Sequence, residues 1–256
     1  MKKRAIKILS HVCLLSVCLL FACSRKDNEV APTPEETPVP GVFTPQTVGI
    51  TAKKMDAKGG NISDYLVYIP DTYNQQPNYK WPVVIFLHGI SEMGKDVNIL
   101  RKVGLVRVVS GKPFVMIAPV CGKNWWNVNS LETLYQDVIK KYNVDTRRVY
   151  LTGLSMGGFG TWDWASEKPE RFAGIIPICG GGKTELMSRL KKMPIWVFHS
   201  KDDSTVKVTS SRVLVKALQE LGSTVQYTEY PSGGHDAWTR TYANEAVFTW
   251  LLKQYQ

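Results

Sequence analysis

A chain of 256 residues is long enough for one large domain or two small ones, and 44% apolar with 21% charged residues is globular composition, not that of a disordered segment. The 8 Trp, 11 Tyr and 8 Phe supply bulky side chains for a core, and no period of about 20 to 50 residues repeats, which excludes a solenoid. The formal charge of +10 would by itself suit nucleic acid or an anionic membrane surface.

That charge is concentrated at the start. Lys2, Lys3, Arg4 and Lys7 precede an apolar run from Ile8 to Ala22, shorter than the roughly 20 residues that span a bilayer, and the small Ala22 stands before Cys23. These are the three parts of an export signal; the alternative is a short N-terminal membrane anchor. Leu20-Phe21-Ala22-Cys23 resembles a bacterial lipobox, which implies cleavage before Cys23 and lipidation of that residue, although Phe21 stands where a small residue is usual. Residues 1–22 are expected to be a lipoprotein signal peptide. Residues 23–42, with Pro32, Pro34, Pro38 and Pro40 among Thr and Glu and no apolar periodicity, are expected to form an extended tether. The acidic residues after Cys23 resemble surface-export signals of bacterial lipoproteins, so membrane contact is expected through a lipid anchor in the cell envelope. Removing residues 1–22 takes away four positive side chains and no negative one, leaving +6. Nucleic acid is then no longer an expected partner.

Of the 5 cysteines, Cys13 and Cys18 leave with the signal, and only Cys121 and Cys179 remain in the body. Two cysteines make neither a disulfide framework nor a zinc site. A bridge between them and buried free thiols near strand ends are both open.

Residues 43–256 are expected to be one catalytic domain in which β-rich runs alternate with helical ones. Strands are predicted at Tyr65 to Ile69, Pro82 to Leu87, Phe114 to Ala118, Arg148 to Leu151, Ala173 to Ile178, Ile195 to His199 and Thr224 to Tyr230. Most are continuous apolar runs, as in a parallel sheet covered on both faces. Leu131, Leu134, Tyr135, Val138, Ile139 and Tyr142 recur at helical spacing, with Asn129 and Glu132 placed as a capping box. Val213, Leu214, Ala217, Leu218 and Leu221 give a second helix stopped by Gly222, and Val247, Trp250 and Leu251 a final one. Such alternation predicts an α/β domain with right-handed crossovers.

Gly153-Leu154-Ser155-Met156-Gly157 fits G-x-S-x-G where an apolar strand gives way to a helical run. A strand-to-helix turn this sharp strains the serine and requires small neighbours two residues to either side, so Ser155 is the candidate nucleophile. A serine hydroxyl needs a base, and there are 4 histidines. His11 lies in the signal, His88 precedes the serine, and His199 ends a strand four residues before Asp203. His235, in the loop Ser232-Gly233-Gly234-His235-Asp236, alone satisfies the order serine, acid, histidine of α/β-hydrolases. Asp202 and Asp203 both follow the strand ending at His199, and spacing does not choose between them. Asp236, beside the base, would more naturally cap the last helix.

Trp81-Pro82 to Leu87-His88-Gly89, Leu151 to Gly158, Phe172 to Gly182, Trp196-Val197-Phe198-His199 and Gly234-His235-Asp236-Ala237-Trp238 occur in order over nearly all of residues 50–256. In that order they resemble the α/β-hydrolase esterases of predicted-peptidase and phospholipase/carboxylesterase type. The resemblance implies an α/β-hydrolase fold with a mostly parallel central sheet and helices on both faces. It selects Asp203, four residues after the strand-ending histidine and three before Val206, as the acid, although Ser200 and Lys207 stand where glycine and proline are common. It also implies an oxyanion hole made by the backbone N–H groups of Ile90 and Met156. Trp125, Trp126 and Trp238 border the same edge as pocket candidates. The expected activity is serine esterase chemistry on acetyl or feruloyl esters of plant polysaccharide, without cofactor or metal. The alternatives are a serine peptidase of prolyl oligopeptidase type and a non-catalytic carbohydrate-binding lipoprotein.

Overall fold

The computed structural model describes residues 43–56 and 60–256. The signal, tether and lipidation expected of residues 1–42, Cys23 included, lie outside the described residues.

Eight strands form one sheet: β1 (Gly49–Lys54), β2 (Ile62–Ile69), β3 (Trp81–Leu87), β4 (Val115–Cys121), β5 (Val144–Leu154), β6 (Gly174–Ile178), β7 (Trp196–Ser200) and β8 (Gln226–Tyr230). Their order is β1-β2-β4-β3-β5-β6-β7-β8. β1 and β2 run antiparallel to their neighbours, and the pairings from β4 through β8 are all parallel. Among the described residues, five α-helices accompany the sheet: α1 (Val128–Lys141), α2 (Met156–Glu167), α3 (Thr209–Glu220), α4 (Ala237–Tyr242) and α5 (Glu245–Leu251).

The central strands are buried on both sides, which is why their sequences read as unbroken apolar runs. Val83, Ile85 and Leu87 of β3 join one core cluster with Leu131 and Leu134 of α1 and Trp162 of α2. Val84 and Phe86 of the same strand join the other, with Val247 and Leu251 of α5. Alternate side chains of a strand point to opposite faces, so one strand supplies two cores. Cys121 belongs to the first cluster and Cys179 to the second, and both are free and buried.

The seven predicted strands are all present, and the structure adds the half-exposed edge strand β1. β5 is far longer than Arg148 to Leu151, because the polar residues from Asp145 to Arg148 also run extended, past an irregularity in the register between Trp81 and Val83. The capping box expected of Asn129 and Glu132 does not form. Asn127 caps α1, its side chain accepting from the Ser130 N–H. Glu132 instead accepts from the Trp164 indole at 2.7 Å and the Arg171 guanidinium at 3.0 Å, joining α1 to α2. α3 ends before Gly222, whose φ of 77° is the left-handed stop the sequence predicts. The single final helix is two, and Asp236 caps the first of them, α4.

Candidate active site

The six parallel strands β3 to β8 release their chains at one edge of the sheet, and the site is assembled from those ends. β5 ends at Leu154, and Ser155 follows at φ 53° and ψ −117°, a conformation that costs an L-residue on the order of 1 to 3 kcal/mol. The turn is imposed by close backbone approach. A Cβ on Gly153 would lie 2.3 Å from the Gly157 oxygen, and one on Gly157 only 2.0 Å from the Leu87 oxygen. The Ser155 N–H donates to the Ile178 carbonyl at 3.0 Å, anchoring the turn to the end of β6.

Beyond β8, the loop from Ser232 to Asp236 brings His235 to the serine. Its Nε2 lies 2.8 Å from Ser155 Oγ, and its Nδ1 lies 2.7 Å from Asp203 Oδ2. The consistent proton arrangement has Nδ1–H donating to the carboxylate and Nε2 accepting from the serine hydroxyl. Asp203, on the turn after β7, has a fully buried side chain. Its other oxygen, Oδ1, accepts from the Thr205 and Val206 N–H groups at 2.9 Å each. Burial alone would raise this carboxyl, but the hydrogen bonds from His235 and from the Val206 and Thr205 N–H groups outweigh it and hold it below the usual carboxylate range. The ambiguity between the two aspartates is resolved in geometry: Asp203 meets the imidazole, and Asp202 turns to the loop backbone.

Two further histidines stand close by in other roles. His88, after β3, donates from Nδ1 to the Gly89 carbonyl at 2.6 Å and accepts at Nε2 from the Cys121 N–H at 2.9 Å, tying the ends of β3 and β4. Burial lowers it to about 4, so it is neutral where the other groups work. His199, the last-but-one residue of β7, shares Asp203 Oδ2 at 3.3 Å. It also contacts the Val206 carbonyl at 2.9 Å and Ser211 Oγ at 2.8 Å. Burial again favours the neutral ring. The sequence marks His199 only as a strand end, because its partner Ser211 comes from α3.

Cys179, at φ 48°, brings a buried thiol into the same cluster, where Cys179, His199 and Asp203 place a ligand atom each within 4.8 Å. The thiol is pushed up to about 12 by burial, and both His199 nitrogens and both Asp203 oxygens have hydrogen-bond partners. The trio therefore acts as packing around the acid.

Met156 opens α2, where a helix N–H has no intrahelical acceptor, and Ile90 opens the 3-10 turn Ile90–Glu92 after His88-Gly89. Neither N–H has an acceptor among the described residues. A Cβ on Gly89 would lie 3.7 Å from Ser155 Cβ, which places this turn beside the serine. The Ile90 side chain is 56% exposed at the same mouth. Trp238 packs edge-on against His235 at 5.3 Å. Trp125 is 40% exposed and meets Phe159, one turn into α2, at 5.9 Å. Trp126 is only 6% exposed, donates to the His88 carbonyl at 3.3 Å and packs at a tilt against the His88 ring, centroids 4.8 Å apart. It thereby braces the turn that follows β3. A cavity of about 840 Å³ is lined by residues that include Asn61, Lys123, Asn124 and Asn127.

This strand order, with a strained serine at the end of β5 and acid and histidine after β7 and β8, defines an α/β-hydrolase. The family model for Phospholipase/Carboxylesterase matches residues 126–250, a little under half of the chain. It is similar to a bifunctional acetylxylan esterase/xylanase of Neocallimastix patriciarum, 25% identical over 200 residues that cover 73% of this chain and 28% of that one. Among solved structures it is similar to a thermostable esterase, 36% identical with a TM-score of 0.69, covering 81% of this chain and 63% of that one. A ferulic acid esterase shares the fold at 18% identity and a TM-score of 0.63, covering 80% of this chain and 98% of that one. The chain thus spans about a quarter of the bifunctional enzyme and under two thirds of the thermostable one.

Proposed function

We propose that the protein hydrolyses carboxylic esters through an acyl-enzyme, with acetyl or feruloyl groups on plant polysaccharide as its substrates. The observation that carries this reading is the unbroken chain from Ser155 Oγ through His235 to Asp203, built on a strained serine. Ser155 Oγ attacks the ester carbonyl as His235 Nε2 takes its proton, and buried Asp203 stabilises the imidazolium that forms. The oxyanion is held by the N–H groups of Ile90 and Met156, the second at the positive end of α2. His235 returns the proton to the departing alcohol, and water then repeats the sequence to release the acid.

Support for the acyl group and alcohol comes from the surface. Ile90 and Trp125 expose apolar surface and Trp238 packs on the His235 ring, faces suited to an aromatic acyl group or a sugar ring. The similarity to an enzyme named for acetylxylan points the same way. The charged start, apolar run and Cys23 support export with a lipid anchor.

Ser155→Ala is expected to lower turnover of p-nitrophenyl acetate by a factor on the order of 10⁴ or more, with an unchanged circular dichroism spectrum. Retained turnover would remove the nucleophile assignment. Acetylated and feruloylated oligosaccharides assayed beside peptide amides test the substrate, and a preference for the amides would replace the esterase reading with a peptidase one.

A further inference from the structure

We propose that Asp202 is a positioning residue for the histidine: its carboxylate holds the two backbone N–H groups that precede His235 and thereby sets where the imidazole stands. The inference rests on the reading of Ser155, His235 and Asp203 as an esterase triad.

Asp202 Oδ2 accepts from the Gly233 N–H at 3.2 Å and Oδ1 from the Gly234 N–H at 2.9 Å. Two adjacent amides thus converge on one carboxylate, one per oxygen. Adjacent N–H groups point the same way only in unusual backbone conformations, and here Gly233 has φ 137° and Gly234 φ 57°. A side chain at Gly233 would be strained, and its Cβ would stand 3.2 Å from Arg240 Nη2 and from Ser200 Oγ. The loop is held on its other side as well. The Asp236 N–H closes a turn onto the Gly233 carbonyl at 3.1 Å, and the Asp236 side chain caps α4. His235 is the residue between these two anchors.

The acid turn is itself fixed to the sheet, since the Lys201 N–H donates to the Tyr230 carbonyl at 2.8 Å and the Asp203 N–H to the Ser200 carbonyl at 3.2 Å. Asp202 and Asp203 therefore hold the same histidine in two ways across a single peptide unit. One fixes the ring through Nδ1, and the other fixes the backbone that carries the ring. A histidine held only by its ring keeps the hydrogen bond to Asp203 while Nε2 swings relative to Ser155 Oγ; holding the backbone removes that motion.

A carboxylate suits this task because it is acceptor-only at both oxygens and its hydrogen bonds are charge-assisted. Asparagine offers one oxygen and presents its NH₂ to the other amide. Alanine leaves both amides to water, which reaches the exposed Asp202 position, so the fold is expected to hold.

The test compares Asp202→Ala and Asp202→Asn with the wild-type chain on p-nitrophenyl acetate, together with the rate at which a fluorophosphonate labels Ser155. Asp202→Ala is expected to lower kcat and the labelling rate about tenfold with KM unchanged, as small misplacements of a catalytic group do. Asp202→Asn should fall between it and the wild type, and the thermal midpoints should coincide. Wild-type kcat and labelling in Asp202→Ala overturn the proposal, as do equal losses in the two variants or a loss matched by a lowered thermal midpoint. Ser155→Ala run alongside keeps the readings apart: its inactivity beside an unaffected Asp202→Ala removes the positioning role alone, and its retained turnover removes the triad as well.

Discussion

Asp202 and Asp203 are consecutive residues with opposite surroundings, one exposed and the other with its side chain wholly enclosed. Asp203→Asn keeps the shape but puts an NH₂ against the imidazole or the Thr205 and Val206 amides, and the favoured proton arrangement on His235 is lost. We expect kcat/KM on a short ester to fall by about 10³ to 10⁴, and Asp202→Asn to lose far less; steady-state kinetics at one pH decides between them. His88 makes a different prediction. Its pKa falls from 6.5 in the unfolded chain to about 4 in the fold, so the unfolded chain takes up a proton first as pH falls. Stability present above 6.5 is therefore lost progressively toward 4, by about 3 kcal/mol at full swing. Glu92, 3.9 Å away and shifted upward by burial, offsets part of this loss in the carboxylate range. Urea midpoints should drop between pH 6.5 and 4.5, and His88→Gln should flatten that dependence. At this scale Ser155 and His235 are legible in the sequence because a G-x-S-x-G turn and chain order each point to single residues. The second role of His199 and the backbone contacts of Asp202 are not, because their partners lie on α3 and in the histidine loop, and no local pattern announces a contact between elements.

The serine turn is a property of three elements packed at backbone distance. α2 can start beside β3 and β6 only because Gly157 and Gly158 bring bare backbone against the Leu87 and Ile178 carbonyls, where added Cβ atoms would stand at 2.0 and 2.4 Å. No side-chain rotation relieves such a clash. Gly157→Ala should cost about 3 kcal/mol or more of unfolding free energy in urea titrations. Gly222→Ala is the companion measurement, since Gly222 has φ 77° with nothing within 4 Å of an added Cβ. It should lose only about 1 to 2 kcal/mol, the cost of a left-handed conformation alone. Equal losses would mean that conformation rather than approach sets the requirement. The elements themselves were legible where periodicity is strong: the buried strands, α1 and α3. β1 escaped because a half-exposed edge strand ending in two lysines has little apolar signal, and the α1 cap was misplaced because Glu132 binds α2 instead of its own helix start.

On the scale of the molecule, one sheet carries two cores and one reactive edge. Cys121 and Cys179 lie in different clusters on opposite faces, so the bridge left open by the sequence does not form, and stability should be indifferent to reductant. Every residue proposed to act on the ester, and every contact that positions one, falls between Phe43 and Gln256: Ser155 on the β5–α2 turn, His235 ahead of α4, Asp203 after β7 and the oxyanion turn after β3. Among the described residues, the core clusters that press these elements together are formed within that span. If the first 42 residues serve only export and tethering, they contribute nothing to the chemistry. A chain beginning at Phe43 should then unfold cooperatively and hydrolyse p-nitrophenyl acetate with kcat/KM within about twofold of the full chain, since a site is set by its local geometry. The partition between membrane and supernatant of cells making each chain should differ in the opposite sense, with only the full chain retained. A tenfold loss of kcat/KM in the shorter chain would assign residues 1–42 a part in the site, and equal partition would remove the anchor.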